Sequence, residues 1–369
     1  MSFYIIINSL GLGGAERVVS RLFSSDRFED ANLVTFSDGI HYKNISNFLS
    51  LNTFLKKIRF YTRLCKVDII QAHLNSAILW SLMFSIIKGY KVQTVHCFSY
   101  SSFYKRKGFL GKLHRLLFSV ILKRASLHIF KAEEMLTDFE RVFGWKPKNY
   151  KIIYNPYDLA NIRGAASELD CNLNDALKSQ ANIAIMGRLS QSKRPFDILQ
   201  IAHALPQYNF HFVGDGELKP QLLKKVDDLN IKNVIFHGAL KNPFPLVKAC
   251  GFYLSTSEAE GFPNALVEAL VVGAVCIHSD CLTGPKEILN GSPENVHFNG
   301  SGYFKAPLGL LFKTGDTNGA VAAIKYAVDN RNSIINETSA NINSFVETIS
   351  LDEIAKKYSQ CLQGQKGNE

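Results

Sequence analysis

Short apolar runs and amphipathic stretches alternate along the whole chain. "FYIIIN", "NLVTF", "VDIIQAH", "KVQTVH", "SLHIFKA" and "YKIIYNP" have the length and apolar content of strands. Between them lie helix-period stretches: a glycine loop opening a helix in "GLGGAERVVSRLF", then "NSAILWSLMFSIIKG" and "FLGKLHRLLFSVILKRA". In the second of these, Asn75 is placed as a cap and Gly89 as a stop. After "NPYD", residues Leu159–Gln180 read as a linker with weak helical content. The rhythm then restarts, with strands at "NIAIM", "YNFHFVG", "NVIFHG", "FYLSTS" and "AVCIHSD" and helices at "RPFDILQIAHAL", "LKPQLLKKVDDLN", "NALVEALVVG" and "TGDTNGAVAAIKYAVDNR". Alternating β and α at this spacing predicts an α/β protein with two consecutive parallel-sheet domains and a boundary near residue 160. Ligands of such sheets bind outside the carboxyl ends of the strands, so two facing sheets would hold theirs in the cleft between them.

Charge divides the chain unevenly. Residues 1–160 hold 23 Lys and Arg against 11 Asp and Glu, the remainder 19 against 21, and residues 39–132 hold 16 against the single acid Asp68. A one-sided charge of this kind points to a polyanionic partner. Nucleic acid is disfavoured, because no binding motif or aromatic-interleaved basic sheet accompanies the charge. Seven cysteines without a C-x-x-C pair read as reduced thiols in a cytosolic protein. The start "MSFYIIINS" lacks the basic n-region and cleavage site of a signal peptide, and the longest apolar run, Ala77–Ile87, is too short to span a bilayer.

Four stretches carry candidate chemistry. In "STSEAEGFPNALVEAL", Glu260 follows a strand and Glu268 sits one turn into the next helix, with Gly261, Phe262, Pro263, Asn264, Ala265 and Leu266 between. Backbone N–H groups at such a helix start favour phosphate oxygens, and an acid at each end suits a ligand with hydroxyls near an anionic centre. A bare E-x7-E is equally a capped surface helix. In "MGRLSQSKRP", Arg188 and Lys193 lie in the loop after a strand, where two fixed cations could stabilise a departing diphosphate without a metal. A solvated basic loop would look the same.

The glycines of "GLGGAER" (Gly11, Gly13, Gly14) permit close backbone approach, but the G-x-G-x-x-G spacing fails and only Asp38 lies at the next strand end, which disfavours a nicotinamide enzyme. The helix Phe109–Leu122 repeats Leu110, Leu113, Leu117, Val120 and Ile121 at helical spacing, and Lys105, Arg106, Lys107, Lys112, Arg115, Lys123 and Arg124 surround it. This reads as a membrane-surface element or, alternatively, as a core-packed helix with a solvated basic face.

The stretch Ser257–Ala269 closely resembles the signature of retaining glycosyltransferases of family four, which have the GT-B fold. "NSLGLGGAERV", "MGRLSQSKRPFDILQIA", "FVGDGELKPQL", "VIFHGAL" and "YNPYD" match the family in order. The resemblance implies two Rossmann-like doubly wound domains facing across a cleft. Residues 1–160 would face acceptor and membrane, 161–350 would bind a nucleotide sugar, and 351–369 would form a helix packing back on the first domain plus a polar tail.

By the same resemblance, Glu260 engages the donor sugar, Glu268 the ribose, and Arg188 and Lys193 the diphosphate. Gly13, Gly14, Gly187, Gly238 and the 261–266 backbone would line the donor site, and His96 would contact the sugar near its reacting carbon. His73 is a candidate for the acceptor side. A lone histidine after a strand is also a common structural hydrogen-bonder. No metal or cofactor is expected, since no paired-aspartate motif occurs beyond the "VGDGE" turn. The run "SDCLTGPKEIL" departs from the family's usual Gly-Gly form and resembles members that build O-antigen, capsule or glycan precursors on undecaprenyl diphosphate. The expected enzyme moves a hexose or N-acetylhexosamine from a UDP-sugar to a lipid-linked acceptor, on the cytoplasmic side of a bacterial inner membrane. A soluble-acceptor transferase and a non-catalytic glycan-binding protein are the alternatives.

Overall fold

A computed structural model describes residues 2–11, 13–39, 42, 45, 48–105, 107–168, 181–294, 296–298 and 302–363. Arg106 and most of the expected linker after residue 168 lie outside the described residues, as does the polar tail from residue 364. Contacts divide the chain into two compact units, Met1–Asp158 with Thr348–Glu369, and Leu159–Glu347.

The first unit is built on β1 (Phe3–Ile7), β2 (Ala31–Thr35), β3 (Leu49–Ser50), β4 (Ile69–His73), β5 (Lys91–His96), β6 (Leu127–Phe130) and β7 (Tyr150–Ile152). They form a parallel sheet in the order β3-β2-β1-β4-β5-β6-β7. Strands buried on both faces explain the near-continuous apolar runs. Ile5, Ile7, Leu33, Ile69, Val95 and Ile129 project into one core, and that core is completed by Ile354, Ala355 and Tyr358 of the helix Leu351–Gln363. The helix Asn75–Lys88 ends at Gly89 in the left-handed conformation. Its start differs from expectation: Asn8 accepts from the Ala77 N–H at 3.1 Å, and the Asn75 side chain has no hydrogen-bond partner among the described residues. The loop after β1 therefore supplies the cap expected from Asn75.

The second unit repeats the plan with β8 (Asn182–Met186), β9 (Asn209–Val213), β10 (Val234–Gly238), β11 (Gly251–Ser255), β12 (Val275–Asp280), β13 (Tyr303–Ala306) and β14 (Gly309–Lys313). The order is β10-β9-β8-β11-β12-β14-β13, parallel except for the edge strand β13. Sequence periodicity missed the β13–β14 hairpin and the helix Arg331–Thr348. In the stretch expected as a linker with weak helical content, Leu159–Ala165 is a helix. Ile183, Phe210, Phe212, Leu254 and Ile277 form the centre of this unit's core.

Candidate active site

Two turns at the carboxyl edge of the second sheet bring the acid and the cation together. The first follows β8. Gly214 after β9 stands at φ 142°, and a Cβ there would lie 1.9 Å from the Gly187 carbonyl, so only glycine lets the loops after β8 and β9 approach this closely. Gly187 itself stands at φ 148°. The chain then turns through Gln191–Lys193. The Thr256 hydroxyl, one residue beyond β11, lies 3.0 Å from the carbonyls of both Lys193 and Arg194 and pins the turn to the neighbouring strand. Arg188 is exposed, and its guanidinium has no hydrogen bond or ion pair among the described residues.

The second turn holds Glu260. Its Oε1 is 2.5 Å from Lys193 Nζ and accepts from the Ser257 hydroxyl at 2.6 Å. The Glu260 side chain is 10% exposed and that of Lys193 31%, so the pair is screened by water on one side only. Burial pushes the Glu260 carboxyl up, but the Lys193 ammonium, the His278 ring and the Ser257 hydroxyl together hold it below the usual carboxylate range.

The turn is braced from behind by Leu282, Thr283 and Gly284. The Glu260 N–H donates to the Leu282 carbonyl at 2.9 Å, and the Thr283 hydroxyl donates to the Glu260 carbonyl. Gly284 stands at φ 97°, where a Cβ would be 2.9 Å from both the Gly261 carbonyl and Pro263 Cδ. Sequence reasoning noted "LTGPKE" only as a departure from a family pattern; its role as the brace of the Glu260 turn was not legible.

The remaining expected donor-side residues fall nearby in the chain but in different settings. Asn264–Val271 is a helix preceded by Pro263, and Ala265 and Leu266 lie in its first turn, where N–H groups lack an intrahelical acceptor. Glu268 is 3% exposed. Gly238 closes β10 at φ 70°. Gly13 and Gly14 belong to the first unit, at the start of the helix Gly14–Leu22.

His96 and His73, also in the first unit, are 1% and 0% exposed. His96 Nδ1 lies 2.7 Å from the Tyr100 hydroxyl, its Nε2 3.1 Å from Thr94 Oγ1 and from His128 Nδ1, and its ring stacks on Phe130. In this structure His96 is a buried, hydrogen-bonded residue. His73 Nε2 lies 3.2 Å from Gln71 Oε1. Burial pushes both rings well below the ordinary histidine range, so both are neutral.

The helix Gly108–Leu122 corrects the core-packed alternative. It packs inward through Gly111, Phe118 and Leu122, while Leu110, Leu113, Leu117 and Val120 point out at 77%, 47%, 62% and 62% exposure. Phe109 and Leu116 widen this outward face, and Met83, Ile86 and Ile87 of the adjoining helix Asn75–Lys88 are exposed beside it. Lys105, Lys107, Lys112, Arg115, Lys123 and Arg124 are all exposed around it. Monomeric soluble proteins rarely leave so much contiguous apolar surface uncovered. Among the described residues, no helix is long and apolar enough to cross a membrane.

Two Rossmann-like units, the second with an acid–cation pair at its carboxyl edge, define the GT-B class of glycosyltransferase. Residues 174–343 match the family model "Glycosyl transferases group 1", and residues 12–161 match "Glycosyltransferase Family 4". The chain is 30% identical over 307 residues to the Campylobacter jejuni N-acetylgalactosamine-N,N'-diacetylbacillosaminyl-diphospho-undecaprenol 4-alpha-N-acetylgalactosaminyltransferase, covering 77% of this chain and 82% of that one. It is 29% identical over 154 residues to the Salmonella typhimurium lipopolysaccharide 1,6-galactosyltransferase, covering 40% and 41%. Anabaena Alr3699/HepE in complex with UDP superposes with a TM-score of 0.81 at 20% identity, over 99% of this chain and 100% of that chain. The chain belongs to the group 1, family 4 glycosyltransferases.

Proposed function

We propose that the protein is a retaining, metal-independent transferase that moves a hexose or N-acetylhexosamine from a UDP-sugar to a polyprenyl-diphosphate-linked glycan. The observation that carries this reading is the Lys193–Glu260 pair at 2.5 Å, with the exposed Arg188 guanidinium on the same turn. Arg188 and Lys193 neutralise the diphosphate as it departs, and backbone amides of residues 262–266 add donors to its oxygens. Glu260 accepts hydrogen bonds from donor-sugar hydroxyls, and Glu268 from the ribose. Fixed cations aimed at the developing charge need no reorganisation during the reaction, which lets them act in place of a metal.

The lipid-linked acceptor is inferred from relatives whose names specify undecaprenol-linked or lipopolysaccharide substrates. The outward apolar face of Gly108–Leu122, rimmed by cations, fits the same reading: its leucines enter the interfacial layer while Lys and Arg meet anionic headgroups. The enzyme would work peripherally at the cytoplasmic face of a bacterial inner membrane, in O-antigen, capsule or glycan assembly.

The test is transfer from a panel of UDP-sugars to undecaprenyl-diphosphate-linked saccharides on anionic vesicles, run beside a soluble saccharide of the same structure. Transfer to the lipid-linked acceptor is expected. Transfer to the soluble acceptor alone, with no vesicle binding, contradicts the acceptor assignment.

A further inference from the structure

A cavity of about 320 Å³ opens at the amino end of the second sheet, away from Glu260. Its floor is Leu270, Val271, Ala274, Val275 and Leu308, each no more than 8% exposed. One wall is a face of the helix Arg331–Thr348. Ile334, Thr338 and Ile342 follow one another a helical turn apart, and Ile335, Ser339 and Asn343 form the row beside them. Arg163 of the helix Leu159–Ala165 and Gly273 complete the rim. Gly273 stands at φ 84°, and a Cβ there would meet nothing within 4 Å, so the mouth is open on that side.

Protein interiors leave few voids larger than a water molecule. This one is about twice the ~150 Å³ of an apolar cavity that takes up benzene, and it reaches the lower end of the roughly 300–1,000 Å³ range of small-molecule sites. The hydroxyls that line it are spent on their own helix. Thr338 donates to the Ile334 carbonyl at 2.8 Å, and Ser339 to the Asn336 carbonyl at 3.3 Å. The floor side chains are all aliphatic, so water inside finds few partners and an apolar occupant is favoured. Charge enters at one point. Arg163 is the only charged residue lining the cavity, it is exposed, and its guanidinium has no hydrogen bond or ion pair among the described residues. A guanidinium at the mouth of aliphatic walls matches a molecule with an apolar tail and an anionic head.

We infer that this cavity binds a single-chain anionic amphiphile, with its alkyl tail along Ile334, Thr338 and Ile342 and its carboxylate or phosphate head on Arg163. The site is separate from the donor site. The helix Asn264–Val271 begins beside the Glu260 turn and ends in the cavity floor; β12 begins in the floor at Val275 and ends at Asp280, next to the Leu282–Gly284 brace. Tail and donor therefore sit at opposite ends of the same two elements, and neither displaces the other. The outward apolar face of Gly108–Leu122 belongs to the first unit and takes no part in this site.

The experiment is titration calorimetry of decanoate, decyl phosphate and decanol into the full chain, each below its micelle concentration, with and without saturating UDP. It is repeated with Arg163→Gln, Ile342→Trp and Leu116→Glu. Ile342→Trp fills the cavity; Arg163→Gln, at an exposed position, tests the head contact without repacking. Each anion is expected to bind as one molecule per chain. UDP and Leu116→Glu should leave this binding unchanged, and Ile342→Trp should abolish it. Arg163→Gln should weaken it about tenfold, to the level of decanol. Tighter binding of decyl phosphate makes the head a phosphate and tighter binding of decanoate a carboxylate; either upholds the site. Wild-type affinity for the anions in Arg163→Gln or in Ile342→Trp overturns it, as does loss of binding in Leu116→Glu or displacement by UDP. Absence of anion binding to the wild type, or decanol binding as tightly as the anions, overturns it too.

Discussion

Each sheet sets a lysine just past a strand's carboxyl end, and the two lysines live in opposite surroundings. Lys131 follows β6 in the first unit, is 1% exposed, and donates to the Tyr358 hydroxyl of the C-terminal helix. No carboxylate lies within ion-pair distance of it among the described residues, and burial pushes its ammonium down to about 8. Lys193 follows β8 in the second unit, stays 31% exposed, and is paired with Glu260. A buried cation held by a phenol ties a helix to a sheet. A half-open cation beside an acid can exchange that acid for another anion. The similar sheet orders show that topology creates the edge, and that solvent access and charge pairing decide what the edge is for.

Four variants break or sharpen this contrast. The largest effect is expected from Lys193→Ala, which on the proposed reading removes a fixed charge from the diphosphate and should lower kcat by about 10²–10³-fold, measured as UDP release. Next is Gly284→Ala. Its Cβ would press on Gly261 and Pro263 at φ 97°, and displacing the Glu260 turn should cost about tenfold to a hundredfold in kcat, with the melting temperature changed little. Leu116→Glu, on the exposed apolar face, should weaken binding to anionic vesicles about tenfold and leave hydrolysis of the UDP-sugar unchanged. Equal loss of both activities would remove the membrane role of that face.

The smallest effect is expected from Lys131→Met. A folded-state value of about 8 lies below the ordinary lysine value, so between the two the unfolded chain binds more protons and wild-type stability rises with pH. Lys131→Met should therefore melt a few degrees higher than wild type below pH 8, and this advantage should vanish toward pH 10. UDP affinity should not change. A loss of UDP affinity would show that the two lysines are not as different as their surroundings indicate.

Much of this architecture was legible in the sequence, because strands buried on both faces leave continuous apolar runs and the glycine and acid motifs lie at their carboxyl ends. Other parts were not, for physical reasons. The helix Gly108–Leu122 carries apolar residues on both sides, and periodicity cannot say which stripe faces in; Gly111, Phe118 and Leu122 do, and the leucine-rich stripe does not. The bracing of Glu260 by Leu282–Gly284 depends on a contact between segments more than twenty residues apart. The helix Arg331–Thr348 is rich in Asn, Ser and Thr, residues with weak helix propensity, and is held by packing through Ile334, Thr338 and Val346. The burial of His96 is set by Tyr100, His128 and Phe130, which only the folded sheet assembles around it, and His73 is likewise fully buried.

The central claim is that fixed cations of the second unit, in place of a divalent metal, neutralise the departing diphosphate. Its most direct test is the initial rate of UDP release from the preferred UDP-sugar in excess EDTA. The account requires a rate equal to that without chelator. A rate that collapses on chelation, returns with manganese, and is indifferent to Arg188→Ala and Lys193→Ala would contradict it.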